Sequence, residues 1–321
     1  MKDRQEEGLV ALSTLLGKDL NSEEVLRERD NILESILEER EHFVPVIDVI
    51  LCRDKTQNLR RMVLGCGTMA MQQLSGVNGL GYYMPTLLTD IGLTGVSSRA
   101  FTAGYNTMYL ISAFCCLLII DRAGRRPMLF AGSIGMTIAY LLAAFSILGF
   151  QQHPEHKNSL QKLTISSFFI YYFCYGMTYA KLPWCILSEI PAISHRTAAA
   201  GAATATNWIG SFIVTQFTPP GVKNLNIWGF YLLFACFCIS FLPISYFFYP
   251  ETMNRTLEDI DEIFFESKSI FVFRNKNLTQ RKRPQAYIDR ENQRIENMRA
   301  ARMEERKLSV EYVDHPVEHK A

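Results

Sequence analysis

Apolar residues are concentrated between Met62 and Pro250 of this chain, and polar residues divide that stretch into six apolar spans. Each span has 21 to 27 residues, and a helix needs about 20 apolar residues to cross the hydrocarbon of a bilayer. The pattern therefore predicts an all-α integral membrane protein with six transmembrane helices. The spans are 62–88, 100–120, 128–150, 163–187, 197–217 and 227–249.

Charged residues lie mainly outside the apolar stretch. Residues 62–250 hold nine of the 33 Lys and Arg and four of the 32 Asp and Glu. This partition predicts a membrane domain at 62–250, flanked by a charged helical segment at 1–61 and a tail at 251–321. Six spans place both termini on one side, and three arginines in the turn at 121–126 favour the cytosol for that side. The net charge of +1 gives no indication of nucleic-acid binding.

Polar side chains interrupt the first span. They are Gln72, Gln73 and Asn78, followed by Tyr82 and Tyr83. An amide without a partner is costly in hydrocarbon. Amides offer donors and acceptors, as the hydroxyls of a sugar do, and aromatic rings suit its C–H faces. A sugar site and hydrogen bonding between packed helices are both compatible with this pattern. Three glycines make the span easy to bend, as in the broken helices that line transporter cavities: Gly76, Gly79 and Gly81.

Two tryptophans lie within later spans. Trp208 follows Asn207 in the fifth span, about eleven residues from its start, which is too deep for an anchor at the membrane surface. Trp184 follows Pro183 near the end of the fourth span, where an anchoring role is also compatible with its position.

Charged residues collect at the span ends on the predicted cytosolic side. Two roles are compatible with this position. The residues are solvated and fix the orientation of the helices in the membrane, or they form ion pairs that hold helix ends together in one conformation and release them in another. These residues are Asp121, Arg122, Arg125, Arg126, Glu189, Arg196 and Glu251.

Five motifs stand in a fixed order along the chain. They are Gln-Gln-x-x-Gly-x-Asn-x-x-x-Tyr-Tyr-x-Pro at 72–85, Asp-Arg-x-Gly-Arg-Arg at 121–126, Pro-Trp-x-x-x-Ser-Glu-Ile-x-x-x-x-x-Arg at 183–196, Asn-Trp at 207–208, and Pro-Glu-Thr at 250–252 with Leu-Glu at 257–258. With them, residues 1–265 resemble the sugar porter family of the major facilitator superfamily, and fungal sugar transporters in particular.

The resemblance implies a role for each matching residue. Substrate binding is implied for Gln72, Gln73, Asn78, Trp184, Asn207 and Trp208, and an outer gate for Tyr82 and Tyr83. A cytosolic charge network is implied for the charged residues named above. The family is one of plasma-membrane carriers without cofactors, and their partners are a sugar, the lipid bilayer and, where transport is coupled, protons.

Lys181 departs from the family pattern. Family members have Gly-Pro where Ala180-Lys181 stand here. A lysine at membrane depth is functional unless its amine reaches the interface along its flexible stem. We therefore carry two hypotheses for Lys181: that it alters substrate or proton coupling, and that it reaches the cytosolic interface.

The resemblance also implies a missing half. Family members have twelve helices in two six-helix halves with the site between them, whereas this chain matches helices seven to twelve. The expected function is a sugar:proton symporter or facilitator that works by alternating access and lacks its N-terminal six helices. The alternatives are a half-transporter that homodimerises and a non-transporting sugar sensor or scaffold. No cysteine spacing suggests a metal site, and no nucleophile–base pair or phosphate loop suggests an enzyme.

Overall fold

The computed structural model describes residues 5–20, 22, 25–26, 29, 57–266, 269–274, 276–290 and 292–293. Within these ranges all regular secondary structure is helical, which confirms the predicted all-α class. The helices are α1 (Gln5–Leu16), α2 (Asn58–Leu74), α3 (Val77–Asp90), α4 (Gly95–Ala123), α5 (Arg125–Gln152), α6 (Lys157–Met177), α7 (Leu182–Glu189), α8 (Arg196–Phe248), α9 (Leu257–Glu266) and α10 (Lys276–Thr279). Short 3₁₀ turns occur at Pro154–His156, Ile193–His195 and Val272–Arg274.

Three of the described helices are long and apolar enough to cross a membrane: α4, α5 and α8. The predicted spans 100–120 and 128–150 lie inside α4 and α5. The last two predicted spans both fall on α8, which is broken at Asn226, where φ is 59° and ψ is 162°. Asparagine adopts a positive φ more readily than most residues. α8 therefore consists of two helical segments, 196–225 and 227–248, that meet at Asn226.

The first predicted span, 62–88, is not one continuous helix, and it bends at the first of the three glycines named above. It is divided into α2 and α3 at Gly76, whose φ is 86°. A Cβ at this position would lie 2.7 Å from the Tyr140 hydroxyl and 2.8 Å from a ring carbon of Phe234. Only glycine has both the conformation and the size that this break requires.

The fourth predicted span, 163–187, is also divided, into α6 and α7. The residues between them, 178–181, leave helical geometry at Thr178, where φ is −131° and ψ is −85°. Pro183 has no N–H to donate to the carbonyl of Tyr179, so a continuous helix would be interrupted there. Proline is well tolerated in the first turn of the new helix, α7, where Pro183 lies.

The interior of the bundle is rich in tyrosine and phenylalanine. α5 packs against α6 and α8, α2 packs against α8, and α4 packs against α6. Large rings that are fully buried lie along these contacts: Tyr105, Tyr140, Tyr171, Tyr231, Phe168, Phe230, Phe234 and Phe241. Burying one large side chain of this kind contributes about 1.5 to 3 kcal/mol relative to leaving it exposed.

The described part of the tail folds back against the start of α2. The Arg61 side chain is fully buried, contacts the Phe264 ring of α9 at 4.5 Å and forms an ion pair with Asp261. Gln57 Nε2 donates to the Phe264 carbonyl at 2.7 Å. The division of the chain at 61 and 250 stays a prediction, and most of the charged segment predicted before residue 57 lies outside the described residues.

Candidate functional site

The break between α2 and α3 is held by tyrosine hydroxyls from two neighbouring helices. The Ser75 carbonyl accepts a hydrogen bond from Tyr140 of α5 at 2.6 Å and from Tyr171 of α6 at 2.9 Å. Packing on both sides therefore sets the direction in which α3 leaves α2. Neither tyrosine was among the predicted site residues. The available signal was a tyrosine within a membrane span, because a hydroxyl buried there usually has a hydrogen-bond partner.

Gln72 joins α2 to α8 and to the residues before α7. Its Nε2 donates to the carbonyls of Tyr179 at 2.8 Å and Ala180 at 3.3 Å. Its Oε1 accepts a hydrogen bond from Asn207 Nδ2 at 2.7 Å. Both amides are buried. The Tyr179 carbonyl, which Pro183 cannot satisfy, thus receives its hydrogen bond from one of the predicted substrate-binding residues.

Gln73 and Asn78 form a second pair across the break. Asn78 Nδ2 donates to Gln73 Oε1 and to Ser211 Oγ of α8, each at 2.7 Å. Gly210 permits this close approach, since a Cβ there would lie 3.0 Å from Gln73 Cβ. Ser211 was not predicted. Its position four residues after Asn207 places it on the same face of α8, which was the signal available in the sequence.

The four amides, Gln72, Gln73, Asn78 and Asn207, are called the amide cluster below. Three of its polar atoms make no hydrogen bond to any described residue: Gln73 Nε2, Asn78 Oδ1 and Asn207 Oδ1. None of these atoms is completely buried without a partner. The cluster therefore presents one donor and two acceptors that remain open, which is the combination that binds hydroxyl groups.

Three of the four predicted aromatic residues lie on helices that also carry the amide cluster, and Trp184 lies on α7. The exposed fraction is 45% for Trp184, 67% for Trp208 and 66% for Tyr82, whereas Tyr83 is half-buried. Trp208 directly follows Asn207 on α8, and both tyrosines lie on α3. Exposed indole and phenol rings offer stacking surfaces for the C–H side of a ligand.

Lys181 lies immediately before α7 with an exposed side chain. It follows Ala180, whose carbonyl is bound by Gln72. The backbone carbonyl of Lys181 accepts hydrogen bonds from the N–H groups of Trp184 and Cys185. Within the described residues, no ion pair with Lys181 is formed. The backbone of Lys181 therefore directly follows a carbonyl that the amide cluster binds.

The charged end of the bundle, where α4 meets α5 and where α7 and α8 end, contains a hydrogen-bonded network. Arg125 Nη2 lies 2.7 Å from Glu189 Oε1 and 3.5 Å from Asp121 Oδ1. The Glu251 carboxylate accepts the backbone N–H groups of Arg125 at 2.9 Å and Arg126 at 3.2 Å. Glu251 therefore caps the N-terminus of α5, where the helix dipole favours an anion.

Two predicted members of the charge network are not joined to it. Arg122 is exposed and forms no ion pair with any described residue. Arg196, at the start of α8, has Nε and Nη2 buried without a hydrogen-bond partner among the described residues. Within the same ranges, no group of three His, Cys, Asp or Glu side chains is placed to hold a metal ion.

Comparison with known proteins identifies relatives over nearly the whole chain. MFS-type transporter oryC of Aspergillus oryzae is 36% identical over 316 residues, which cover 97% of this chain and 58% of that protein. Sugar transporter STL1 of Saccharomyces cerevisiae is 30% identical over 264 residues, covering 82% of this chain and 45% of that protein. The chain thus spans about half the length of the curated relatives it matches.

Solved structures share the fold. A double-tryptophan variant of XylE matches with a TM-score of 0.61 at 20% identity, covering 82% of this chain and 52% of that one. The inward-open xylose transporter XylE from E. coli matches with a TM-score of 0.56 at 21% identity, covering 80% and 50%.

The family described as "Sugar (and other) transporter" matches residues 1–264. This match agrees with the five motifs and with the broken helices that carry the amide cluster. The chain therefore belongs to the sugar porter family of the major facilitator superfamily, of which it covers the C-terminal region.

Proposed function

We propose that this chain supplies one wall of a carbohydrate pathway across a membrane and that it works by alternating access. The observation that carries the proposal is the amide cluster, in which buried amides of α2 and α8 and the half-buried Asn78 of α3 are fixed by hydrogen bonds while three amide atoms stay open. The structurally similar XylE is a xylose transporter, and one of its solved structures holds 6-bromo-6-deoxy-D-glucose. A polyhydroxylated ligand is what these open donors and acceptors would bind here.

The aromatic residues complete this wall. Trp184 and Trp208 would stack on the C–H faces of the sugar, and Tyr82 and Tyr83 on α3 would close over it as a gate. α3 is joined to α2 through the Gly76 break, where Tyr140 and Tyr171 hold its direction. Release of these two hydrogen bonds would let α3 change direction while Gln72 of α2 remains bonded to Tyr179 and Ala180. Movement of a short half-helix beside a fixed site is the usual design of broken-helix transporters.

A second six-helix body would be needed to enclose the sugar, since this chain covers one side of the site. Arg196 supports a partner of this kind, because its two buried N–H groups lack acceptors in the described part of the chain. The partner would be an N-terminal half or a second copy of the chain. The charged end would lie in the cytosol with both termini, and the membrane would be the plasma membrane.

We also propose that Lys181 affects substrate preference or the coupling of sugar transport to protons. A cation on the residue directly after a carbonyl that the amide cluster binds would change either the substrate preference or the coupling to protons. We expect Lys181→Met to change the uptake rate or its dependence on external pH. If both stay as in the parent, Lys181 has no coupling role and its amine instead reaches the membrane surface.

The test is sugar uptake by cells that lack their own sugar carriers. The chain is expressed alone and together with the first six helices of the Aspergillus oryzae relative, and radiolabelled hexose, pentose, disaccharide and polyol are offered. We expect saturable uptake of at least one of them in the combined cells. Saturable uptake by the chain alone would instead favour the homodimer, and no uptake from either would contradict the proposal if both halves reach the membrane.

Matched variants connect uptake to the amide cluster. Gln72→Ala removes three hydrogen bonds and is expected to lower apparent affinity about tenfold, the equivalent of about 1.4 kcal/mol. Gln151→Ala makes the same chemical change at an exposed position at the end of α5 and should leave uptake unchanged. Equal losses in the two variants would remove the assignment of Gln72 to the substrate site.

A further inference from the structure

Six aromatic rings gather where α8 ends. Phe271 lies 6.0 Å from Phe247 and 5.8 Å from Phe248, measured between ring centroids. Phe273 lies 5.4 Å from Phe247 and stacks on Tyr246 at 6.0 Å with an angle of 20° between the ring planes. The set, called the aromatic collar below, consists of Phe130, Tyr246, Phe247, Phe248, Phe271 and Phe273.

Hydrogen bonding and packing hold the tail segment 270–273 in this position. Arg60 Nη2 donates to the Ile270 carbonyl at 2.8 Å. Val272 is buried in the core with 1% of its surface exposed, whereas Ile270, Phe271 and Phe273 are 60%, 44% and 42% exposed. The segment therefore places one side chain inside and turns three large apolar side chains outward.

The level of the collar in the membrane follows from α8. This helix is apolar enough to cross the bilayer, and its last turn, with Tyr246, supplies half of the collar. Arg126 Nη2 at the start of α5 donates to the Tyr246 carbonyl at 2.6 Å. Ile239 and Tyr246 are exposed and lie seven residues apart, on one face of α8, and Phe273 stacks on Tyr246 at the charged end of that face.

Two basic residues lie close to the same end. Arg281 and Lys282 are exposed. The residues before them are bound beside the end of α8, because Glu251 N donates to the Leu278 carbonyl at 2.9 Å and Arg255 Nη2 to the Gln280 carbonyl at 3.3 Å. Exposed basic residues immediately beyond a membrane helix are suited to anionic lipid headgroups.

We propose that the tail segment 270–273 lies in the membrane interface at the charged end, with Ile270, Phe271 and Phe273 against lipid and Arg281 and Lys282 at anionic headgroups. The partner is the phospholipid leaflet itself. Aromatic side chains favour the boundary between headgroups and acyl chains, and an apolar surface continuous with a lipid-facing helix meets lipid rather than water. This role is separate from sugar binding and anchors the tail beside α8.

The test uses the whole chain in nanodiscs. Phe271→Trp adds one indole, and its emission is taken as the difference from the parent, which has three tryptophans. We expect lipids brominated near the headgroup end of the acyl chain to quench the added emission more than lipids brominated near the methyl end. Gln285→Trp, at an exposed polar position in the same tail, is the matched control and should not be quenched by either lipid.

Each other outcome overturns the proposal. If the added emission of Phe271→Trp is unquenched by both lipids, the segment is covered by protein or faces water. If Gln285→Trp is quenched equally, the tail touches the membrane without using the collar. A second variant, Phe273→Trp, guards against unfolding of Phe271→Trp. Its added emission must show the same preference for lipids brominated near the headgroup end.

The basic residues are tested by energy transfer from the Phe271→Trp indole to lipids with dansylated headgroups. Transfer to an anionic labelled lipid should exceed transfer to a neutral one, and the double substitution Arg281→Gln and Lys282→Gln should remove the difference. The expected enrichment is about fivefold for each basic residue at low salt. An enrichment that survives the double substitution would exclude these two residues as the lipid-binding groups.

Discussion

At the scale of single residues, the Ser75 carbonyl shows how this protein fixes a break in a membrane helix. Two hydroxyls from different helices converge on one oxygen at 2.6 and 2.9 Å. The glycine that follows gives the chain its turn, and the tyrosines hold the turn in one direction. Glycine alone would leave α3 free to swing. The tyrosines therefore position the amides on either side of the break.

Removing one hydroxyl tests this arrangement. Tyr140→Phe leaves the Ser75 carbonyl with one donor and is expected to lower the free energy of unfolding by about 0.5 to 1.5 kcal/mol. Tyr231→Phe is the matched control, because the buried Tyr231 hydroxyl has no partner among the described residues and its removal should be neutral or stabilising. Thermal unfolding in detergent measures both. A larger loss for Tyr231→Phe than for Tyr140→Phe would contradict the assignment.

At the scale of elements, the turn between α4 and α5 depends on Gly124. Its φ of 87° and ψ of 154° belong to a region that is nearly exclusive to glycine. A Cβ there would lie 2.8 Å from Glu251 Oε2, the oxygen that caps Arg126. The turn brings the two helix ends close enough for one carboxylate to bind the first backbone N–H groups of α5.

Gly124→Ala is therefore expected to destabilise the protein by about 1 to 3 kcal/mol through backbone strain, with a further loss from displacement of Glu251. Gly201→Ala in α8 has open space around the added carbon and should stabilise the helix by about 0.5 to 1 kcal/mol. The two variants should shift the thermal midpoint in opposite directions. Shifts of the same sign would show that the backbone conformation at 124 is not the cause.

The start of α9 carries a charge-dependent cap. Thr256 N donates to Asp259 Oδ2 and Asp259 N donates to Thr256 Oγ1, while Arg283 donates to both carboxylate oxygens at 2.6 and 2.8 Å. Burial by itself would raise the pKa of Asp259, but the hydrogen bonds from Arg283 and Thr256 outweigh it, so the pKa lies below its ordinary value.

The stability of α9 is expected to fall in acid for this reason. The unfolded pKa of an aspartate is about 3.9, and the folded pKa is lower. The stabilisation is therefore complete above the unfolded pKa and is lost as the pH falls through the folded pKa. Hydrogen-exchange protection of 257–266, corrected for intrinsic rates, should decline over that window. Asp259→Asn should remove the decline, and Asp289→Asn, which changes an exposed aspartate, should retain it.

The sequence predicted some elements well and others poorly, for physical reasons. Spans 100–120 and 128–150 were placed correctly because apolar length alone defines a helix that crosses lipid. The bend at Gly76 was indicated by the glycines of the first span, whereas the break at 178–181 was missed, since hydropathy does not register a carbonyl bonded to another helix. The tail at 257–283 is as charged as a solvated segment, yet Arg61 and Phe264 bind it to α2. The ion pair between Arg61 and Asp261 joins residues 200 positions apart, so no local sequence pattern indicates it.

The candidate site was predictable in its residue types and less so in its geometry. The motif around 72–85 identified three of the amides and the Asn-Trp motif the fourth, and the structure joins them in two hydrogen-bonded pairs, Gln72 with Asn207 and Gln73 with Asn78. Their partners Tyr140, Tyr171 and Ser211 come from helices whose register against α2 is set by core packing. Sequence patterns within one span carry no information about that register. The roles assigned to the amides and aromatic residues stay predictions until the uptake experiment is done.

At the scale of the whole molecule, the broken helices position the amide cluster and the charge network joins the helix ends. The amide cluster is held near the breaks by hydrogen bonds inside the chain. The charged end holds α4, α5, α7 and the residues after α8 together through Arg125, Glu189 and Glu251. These contacts join the helices at the charged end, and two N–H groups of Arg196 are buried there without a partner among the described residues.

Arg196 and Arg125 therefore should respond differently to the same substitution. Arg125→Leu removes the cation paired with Glu189, which keeps its hydrogen bond from Thr252, and is expected to cost about 2 to 3 kcal/mol in the chain alone. Arg196→Leu removes buried N–H groups that lack partners in the described residues, and it should be neutral or stabilising in the chain alone. Thermal unfolding of the purified chain separates these cases, with Arg122→Leu as the exposed arginine control.

Substitution of Arg196 also tests whether the chain binds a second six-helix body. When the chain is expressed with an N-terminal half, Arg196→Leu should weaken their co-purification and lower sugar uptake, because the guanidinium would have found its acceptor in the other body. Arg122→Leu should leave co-purification as in the parent. If Arg196→Leu destabilises the isolated chain as much as Arg125→Leu does, its hydrogen bonds are made within this chain, and Arg196 gives no argument for a second body.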